Sequence, residues 1–129
     1  MIRVTPRSRR LVPEALARKA AEFALEKKAK DPVVLDLRKL SSVCDYFVVV
    51  SGDSEPQVKA IVDRVEEGLK DAGETPWHVE GMAGRQWVLL DYVDVVVHVF
   101  HERARETYLL ERLWGDAPRE AMDAGAGSA

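Results

Sequence analysis

The sequence lacks several features that define common classes of protein, and each absence excludes one class. There is a single cysteine, Cys44, among the 129 residues, so neither a disulfide framework nor a zinc site built from cysteines is expected. No apolar run approaches the roughly 20 residues that a membrane-spanning helix requires. The basic N-terminus is not followed by the apolar segment of a secretory signal. Together these absences predict a protein of a reducing, cytoplasmic compartment.

Composition indicates one globular domain, and its acidic charge suits a basic protein partner better than a nucleic acid. Apolar residues make up 47% of the chain and charged residues 32%, which allows one core and argues against disorder. Residues 1–30 carry nine Lys/Arg and three Asp/Glu, whereas residues 31–129 carry ten and nineteen. An acidic body repels the phosphates of DNA and RNA but complements a basic protein partner. Solvated surface charge is the plainer explanation, and it stays open.

The apolar periodicity divides the chain into a leader, one domain and a tail. Residues 1–12 predict a flexible basic leader, and residues 116–129, which are small and polar, predict a mobile tail. Between them, residues 13–115 show three helical patterns, at 13–30, 54–72 and 102–114, and five strand patterns, at 33–37, 46–50, 77–80, 86–92 and 94–100. The last two strands are so close in sequence that an antiparallel hairpin is expected. We predict a three-layer α/β/α domain with a mixed five-stranded sheet.

One turn has the form of a phosphate-binding loop. The segment Val50–Ser54 consists of a strand end, a glycine turn at Gly52 and a capped helix start, where backbone N–H groups can bind phosphate. Nucleotidyltransferases combine such a turn with two carboxylates on a nearby strand that hold Mg²⁺. No Asp-x-Asp follows on the next strand, and Asp53 would repel phosphate. A well-made turn and cap is the favoured interpretation, and a nucleotide-binding enzyme is the alternative.

The histidines and acids of the second hairpin do not complete a catalytic or metal site. His98 and His101 stand three apart on a strand, and neither a cysteine nor a third histidine lies nearby in the sequence to complete a zinc site. Asp91, Asp94 and His98 could share one site, but no activated serine or cysteine accompanies them. We therefore expect no catalytic residue, no metal and no cofactor, and a partly buried His98 whose hydrogen bonds are satisfied.

Trp87 is the residue of this hairpin whose position matters most. It shares a strand face with Leu89 and Asp91, whereas Val88, Leu90 and Tyr92 share the other face. A tryptophan beside a carboxylate is either a filler of the core or an interface anchor with a charged rim. The residues alone leave both interpretations open.

The segment from Leu35 to Trp114 contains an ordered set of short motifs, each of them weak alone. In chain order these stretches are Ser41–Phe47, Ser51–Ser54 with Gln57, Glu80–Gly81, Trp87–Tyr92, Asp94–Phe100, and Tyr108 with Leu110–Trp114. With these motifs the segment closely resembles the ribosomal silencing factor family (RsfS, the Iojap-related proteins). The leader and the last fifteen residues lie outside the resemblance.

This resemblance implies a fold, a function and a partner. Family members have a nucleotidyltransferase-like α/β domain without catalytic carboxylates, are often dimeric, and are not enzymes. They bind the large ribosomal subunit at its intersubunit face through the ribosomal protein numbered fourteen. Binding blocks joining of the small subunit and represses translation when nutrients are short. For this chain we predict that the contact is made by Trp87, Asp91, Tyr92 and Asp94, supported by Glu80 and His98. Gly52 and Gly81 are predicted to be structural turns.

Two further expectations concern the turn and the oligomer. The family usually carries glycine where this chain has Val93. Valine is costly where φ is positive, so we expect an altered turn with the fold intact. A structural homodimer that used the Trp87 face would compete with the ribosome for the same surface.

Overall fold

The computed structural model describes residues 11–108 and 117–122. These residues form three helices, α1 (Pro13–Glu26), α2 (Glu55–Asp71) and α3 (Glu102–Tyr108). They also form six strands, β1 (Lys30–Asp36), β2 (Tyr46–Gly52), β3 (His78–Glu80), β4 (Trp87–Asp91), β5 (Val95–His101) and β6 (Arg119–Ala121). Most of the predicted leader and the end of the third predicted helix lie outside the described residues.

The strands form one mixed sheet in the order β3-β4-β5-β2-β1-β6. Only β2 and β5 pair in parallel, and the other described pairs are antiparallel, including the predicted hairpin of β4 and β5. The prediction of five strands is wrong. The sixth strand lies within the predicted tail and pairs with the edge of β1, with Leu35 opposite Arg119. Two charged residues and an alanine carry no strand periodicity, so only the pairing reveals this strand.

Apolar side chains fill a core on each face of the sheet. On one face, α1 and α2 pack against the strands with a continuous set of buried residues that includes Leu16, Ala20, Ala24, Val58, Ile61, Val65, Leu69, Val48, Val50, Val97 and Val99. On the other face, Val33, Leu35, Val49 and Phe100 pack with Ala104 of α3 and with Ala117. Helices on both faces agree with the predicted layers, and the likeness to nucleotidyltransferases stays a prediction.

The two long helices begin where local signals place them. Pro13 opens α1, and Ser54 caps α2, with its Oγ accepting the N–H of Gln57 at 3.2 Å. The helix α1 ends at Glu26, earlier than predicted, and β1 begins at Lys30 rather than Val33. Within the described residues, none of the helices has the length and apolar character needed to cross a membrane.

Candidate functional site

The sheet face opposite α1 and α2 carries a partly exposed apolar surface. Strand register places Trp87 and Leu89 of β4 beside β5, and Phe47 of β2 opposite Val96 of β5. These four side chains are neither fully buried nor fully exposed. Their strand neighbours Val88, Leu90 and Val97, which point to the helices, are completely buried. We call Phe47, Trp87, Leu89 and Val96 the sheet patch.

Trp87 is held in one orientation within this patch. Its indole Nε1 donates a hydrogen bond to Nδ1 of His98 at 3.0 Å. Its ring stacks on Phe100 with the centroids 5.0 Å apart, and the ring of Phe47 packs edge-on against His98 at 4.5 Å. Trp87 is therefore both a partner of the core and a partly exposed residue, fixed before any ligand arrives. An anchor held in this way loses little conformational entropy on binding.

His98 supports Trp87 from below the surface. The residue is only 3% exposed, and burial lowers its pKa to about 3. A neutral ring whose Nδ1 accepts a hydrogen bond carries its proton on Nε2. That Nε2 is buried without a hydrogen-bond partner among the described residues, so the predicted satisfaction of His98 holds for one ring nitrogen only. The contact predicted for His98 stays a prediction, and the geometry makes it indirect, through Trp87.

Acid should destabilise the folded chain through His98. Its pKa is about 3 in the folded chain and about 6.5 in an unfolded chain. Between these two pKa values His98 is protonated in the unfolded chain but not in the folded chain. The contribution of neutral His98 to stability is therefore complete above the unfolded-state pKa and is lost progressively as the pH falls toward the folded-state pKa. Lowering the pH from about 7 to about 5 should cost about 2 kcal/mol of unfolding free energy through this residue. Urea titrations of wild type and His98→Gln measure it, and parallel pH profiles of the two would contradict it.

The predicted acidic residues lie around one end and one edge of the sheet patch. Asp91 ends β4, and its Oδ1 accepts the N–H of Val93 at 2.7 Å. Glu80 pairs in register with Leu89 on the exposed strand β3, and its carboxylate contacts the ring of His78. The backbone carbonyl of Asp94 accepts the N–H of Asp45, which joins the hairpin of β4 and β5 to the loop between β1 and β2. The structure thus brings Asp91 and Glu80 next to the sheet patch.

Tyr92 lies on the opposite face of the sheet. It is 6% exposed and packs in the core beneath α1 and α2. Burial and the nearby carboxylates of Glu66 and Glu74 raise its pKa above the ordinary value. A side chain so placed has little surface to offer a partner that covers Trp87. Its predicted role in the contact stays a prediction, which the geometry does not favour.

Replacing Tyr92 by phenylalanine should stabilise the fold. The buried hydroxyl has no hydrogen-bond partner among the described residues, and an unpaired buried hydroxyl costs roughly 1 to 3 kcal/mol. We therefore expect Tyr92→Phe to raise the unfolding free energy by about 1 kcal/mol in urea titrations. A loss of stability would show that the hydroxyl is hydrogen-bonded after all.

Sequence reasoning missed part of the sheet patch. Phe47 and Val96 belong to strands that are apolar almost throughout, which predicted cover on both faces. The only signal for Phe47 was its place two residues after Asp45, in phase with a polar position. The pairing of Phe47 with Val96 places both side chains in the patch, and a single sequence does not reveal that register.

Two glycines and Val93 lie at or just after strand ends, where the backbone turns. Gly81 has φ 89°, and a Cβ there would lie 2.1 Å from the carbonyl oxygen of Trp87. Gly52 ends β2, where a Cβ would lie 3.1 Å from Cγ2 of Val58 at the start of α2. A side chain would therefore be crowded at both glycines, and their role as structural turns stays a prediction. Val93 has φ 76°, so the turn keeps a positive φ despite its β-branched residue, contrary to the expectation that this turn would change.

The turn after β2 uses its own polar groups. Ser54 caps α2 as described, and Oε1 of Gln57 accepts the N–H of Asp53 at 2.6 Å. Nζ of Lys30 lies 3.3 Å from the carboxylate of Glu102 and 3.9 Å from that of Asp53, so a lysine stands between these two acids. The interpretation as a turn and cap is confirmed. The geometry gives no support to a phosphate site here, because the N–H groups of Asp53 and Gln57 already donate to side chains of the same turn.

Comparisons with known proteins identify what the chain is similar to. Residues 11–128 match the family RsfS, described as "Ribosomal silencing factor during starvation". The ribosomal silencing factor RsfS of Bacillus subtilis is 42% identical over 106 residues, which cover 82% of this chain and 90% of that protein. A crystal structure of a Chromobacterium violaceum protein superposes with a TM-score of 0.79 at 39% identity, covering 81% of this chain and 88% of that one. The mouse protein named "Mitochondrial assembly of ribosomal large subunit protein 1" is 30% identical over 92 residues, which cover 69% of this chain and 40% of that protein.

Proposed function

Because this chain belongs to the ribosomal silencing factor family, we propose that it binds the large ribosomal subunit at its intersubunit face and blocks joining of the small subunit. Translation falls as a result. The proposed contact is a basic ribosomal protein of that subunit, the one numbered fourteen, and the proposed site of action is the cytoplasm. The name of the mouse relative, which refers to assembly of the large subunit, supports the choice of subunit.

The observation that carries this proposal is the fixed Trp87 in a partly exposed apolar patch with carboxylates beside it. Tryptophan is enriched among the residues that dominate binding energy, and such residues lie in well-packed surroundings. Asp91 and Glu80 give this patch an acidic rim, which attracts a basic partner and sets its orientation. Docking of this kind requires affinity and bulk, and it needs no catalytic step.

A charge test at Asp91 examines the docking site. Asp91→Asn keeps the acceptor for the N–H of Val93 and removes only the charge, whereas Asp91→Lys reverses it. We expect about 3-fold weaker binding to isolated large subunits for the first variant and at least about 10-fold for the second, more at low salt than at high salt. Glu22→Lys is the matched control, because Glu22 is exposed on α1, which packs on the other side of the sheet.

The binding measurement is co-sedimentation with purified large subunits, followed by small-subunit joining on the same sample. Wild type should co-sediment and reduce joining. Absence of co-sedimentation at low salt would overturn the proposed function. Equal losses in Asp91→Lys and Glu22→Lys would place the docking site elsewhere.

We also propose that any homodimer built on the sheet patch competes with the ribosome. Trp87 cannot face a second copy and a ribosomal protein at once. Under this arrangement the bound fraction per chain falls as the protein concentration rises above the dimer dissociation constant. Sedimentation equilibrium, run beside the binding assay, measures both quantities. A dimer that binds subunits as well as the monomer does would contradict the competition.

A further inference from the structure

Three exposed apolar side chains belong to a loop and a turn at the same end of the sheet. Leu40 and Val43, in the loop between β1 and β2, are 44% and 85% exposed, and Val93, in the turn between β4 and β5, is 50% exposed. The loop and the turn are tied together, because the N–H of Asp45 donates to the carbonyl oxygen of Asp94 at 2.8 Å. We call Leu40, Val43 and Val93 the loop rim.

Val93 occupies its place at a conformational cost. Its φ is 76°, and the N–H of Asp94 donates to the carbonyl oxygen of Tyr92 at 3.0 Å, which makes a three-residue turn centred on Val93. A β-branched residue at positive φ is an outlier that glycine would relieve. The side chain of Val93 is thus both apolar and half exposed to water, and its backbone is strained. Strain of this kind is concentrated at functional sites.

The surroundings of the loop rim indicate the chemistry of its partner. Asp45 and Asp91 lie beside it, both partly exposed. The cations of the same loop are the exposed Lys39 and Arg38, and the Arg38 guanidinium is already paired with Asp36 at 2.7 Å. An apolar rim beside two carboxylates complements an aliphatic segment flanked by lysine or arginine.

The loop rim also continues the sheet patch. Asp91 borders both surfaces, since it follows Leu89 on β4 and holds the N–H of Val93. On the neighbouring strand, Phe47 follows two residues after Asp45. A partner seated on Trp87 can therefore extend toward the rim past Asp91 and Phe47.

We propose that the loop rim is a second contact of the docking surface, occupied by an aliphatic, cation-flanked segment of the same basic ribosomal protein. This inference rests on the proposed function and extends its footprint from Trp87 around the hairpin turn to Val43. In this arrangement the apolar contact of Val93 with the partner offsets the cost of its strained backbone.

The test separates stability from binding. Val93→Gly should raise the Tm by about 4 °C, because glycine relieves the strained turn, and should weaken binding to large subunits about 5-fold, because the apolar contact is lost. Val43→Ser, at an unstrained position, should weaken binding about 3-fold with little change in Tm. Val12→Ser is the matched control: Val12 is 65% exposed and caps α1 without a side-chain hydrogen bond, so serine should raise the Tm by a similar amount and leave binding unchanged.

The outcomes distinguish this inference from the proposed function. Failure of wild type to bind subunits overturns both. Binding that is lost in Trp87→Ala but unchanged in Val93→Gly and Val43→Ser overturns the loop rim alone. A loss in Val93→Gly without one in Val43→Ser also overturns it, because glycine then acts through a loosened turn. If the rim variants break a wild-type dimer and leave subunit binding intact, the rim contacts a second copy of the chain and the inference is wrong.

Discussion

Trp87→Ala is expected to weaken binding to isolated large ribosomal subunits by about 100-fold or more, the size of effect seen for central tryptophans in interfaces. The indole supplies the largest apolar surface of the sheet patch, and His98 and Phe100 hold it in place before binding. Alanine removes both the contact and its preorganisation. Titration of labelled protein with large subunits measures the affinity, and far-ultraviolet circular dichroism and Tm confirm that the variant is folded.

Two further tryptophan variants define what Trp87 contributes. Trp87→Phe keeps a ring that can stack on Phe100 but removes the donor to His98, so we expect an intermediate loss of about 10-fold. Trp77→Ala is the matched control, since Trp77 is 78% exposed and lies outside the sheet patch, just before β3. If Trp77→Ala abolished binding and Trp87→Ala did not, the docking site would lie at the β3 edge instead.

Local signals explain why most elements were predictable. The Ser54 cap and the apolar spacing from Val58 to Leu69 define α2 without help from the rest of the chain. The alternation of Trp87, Leu89 and Asp91 with buried neighbours defines both faces of β4. These signals depend on residues close in sequence, whose spacing reflects the helix and strand periods directly.

The remaining features depend on pairing between distant segments. β6 exists because β1 offers an edge to residues 119–121, which have no strand pattern of their own. The sheet patch requires Phe47 of β2 to lie beside Val96 of β5, a register that no local pattern encodes.

Tyr92 illustrates the same distinction within the predicted site. Its motif placed it with Trp87 and Asp91 in the proposed contact, although the strand period assigns it to the opposite face. The structure agrees with the period, because Tyr92 packs beneath the helices. Adjacency in a motif is thus a weaker guide to a shared surface than strand geometry is.

Gly81→Ala should be the most destabilising of the glycine substitutions near the site, with a loss of about 3 kcal/mol or more in unfolding free energy. Two costs combine. The backbone at Gly81 has φ 89°, and the new Cβ would lie 2.1 Å from the carbonyl oxygen of Trp87. Because that oxygen belongs to the backbone of β4, the conflict cannot be relieved by a side-chain rotation. β3 and β4 must separate at the residue that carries the anchor, so binding should weaken as well.

Substitutions at two other glycines separate the backbone cost from the cost of the steric conflict. Gly73 has φ 90° and open space around its Cβ position, so Gly73→Ala measures the backbone cost alone, about 1 kcal/mol. Gly84 has neither a positive φ nor a neighbour within 4 Å, so Gly84→Ala should change stability by less than about 0.5 kcal/mol. Urea titrations of the three variants yield the excess at Gly81, which is the cost of the contact with β4. If Gly81→Ala were no worse than Gly73→Ala, β4 would be able to move away freely, and a rigidly held Trp87 would no longer be a sound basis for the docking site.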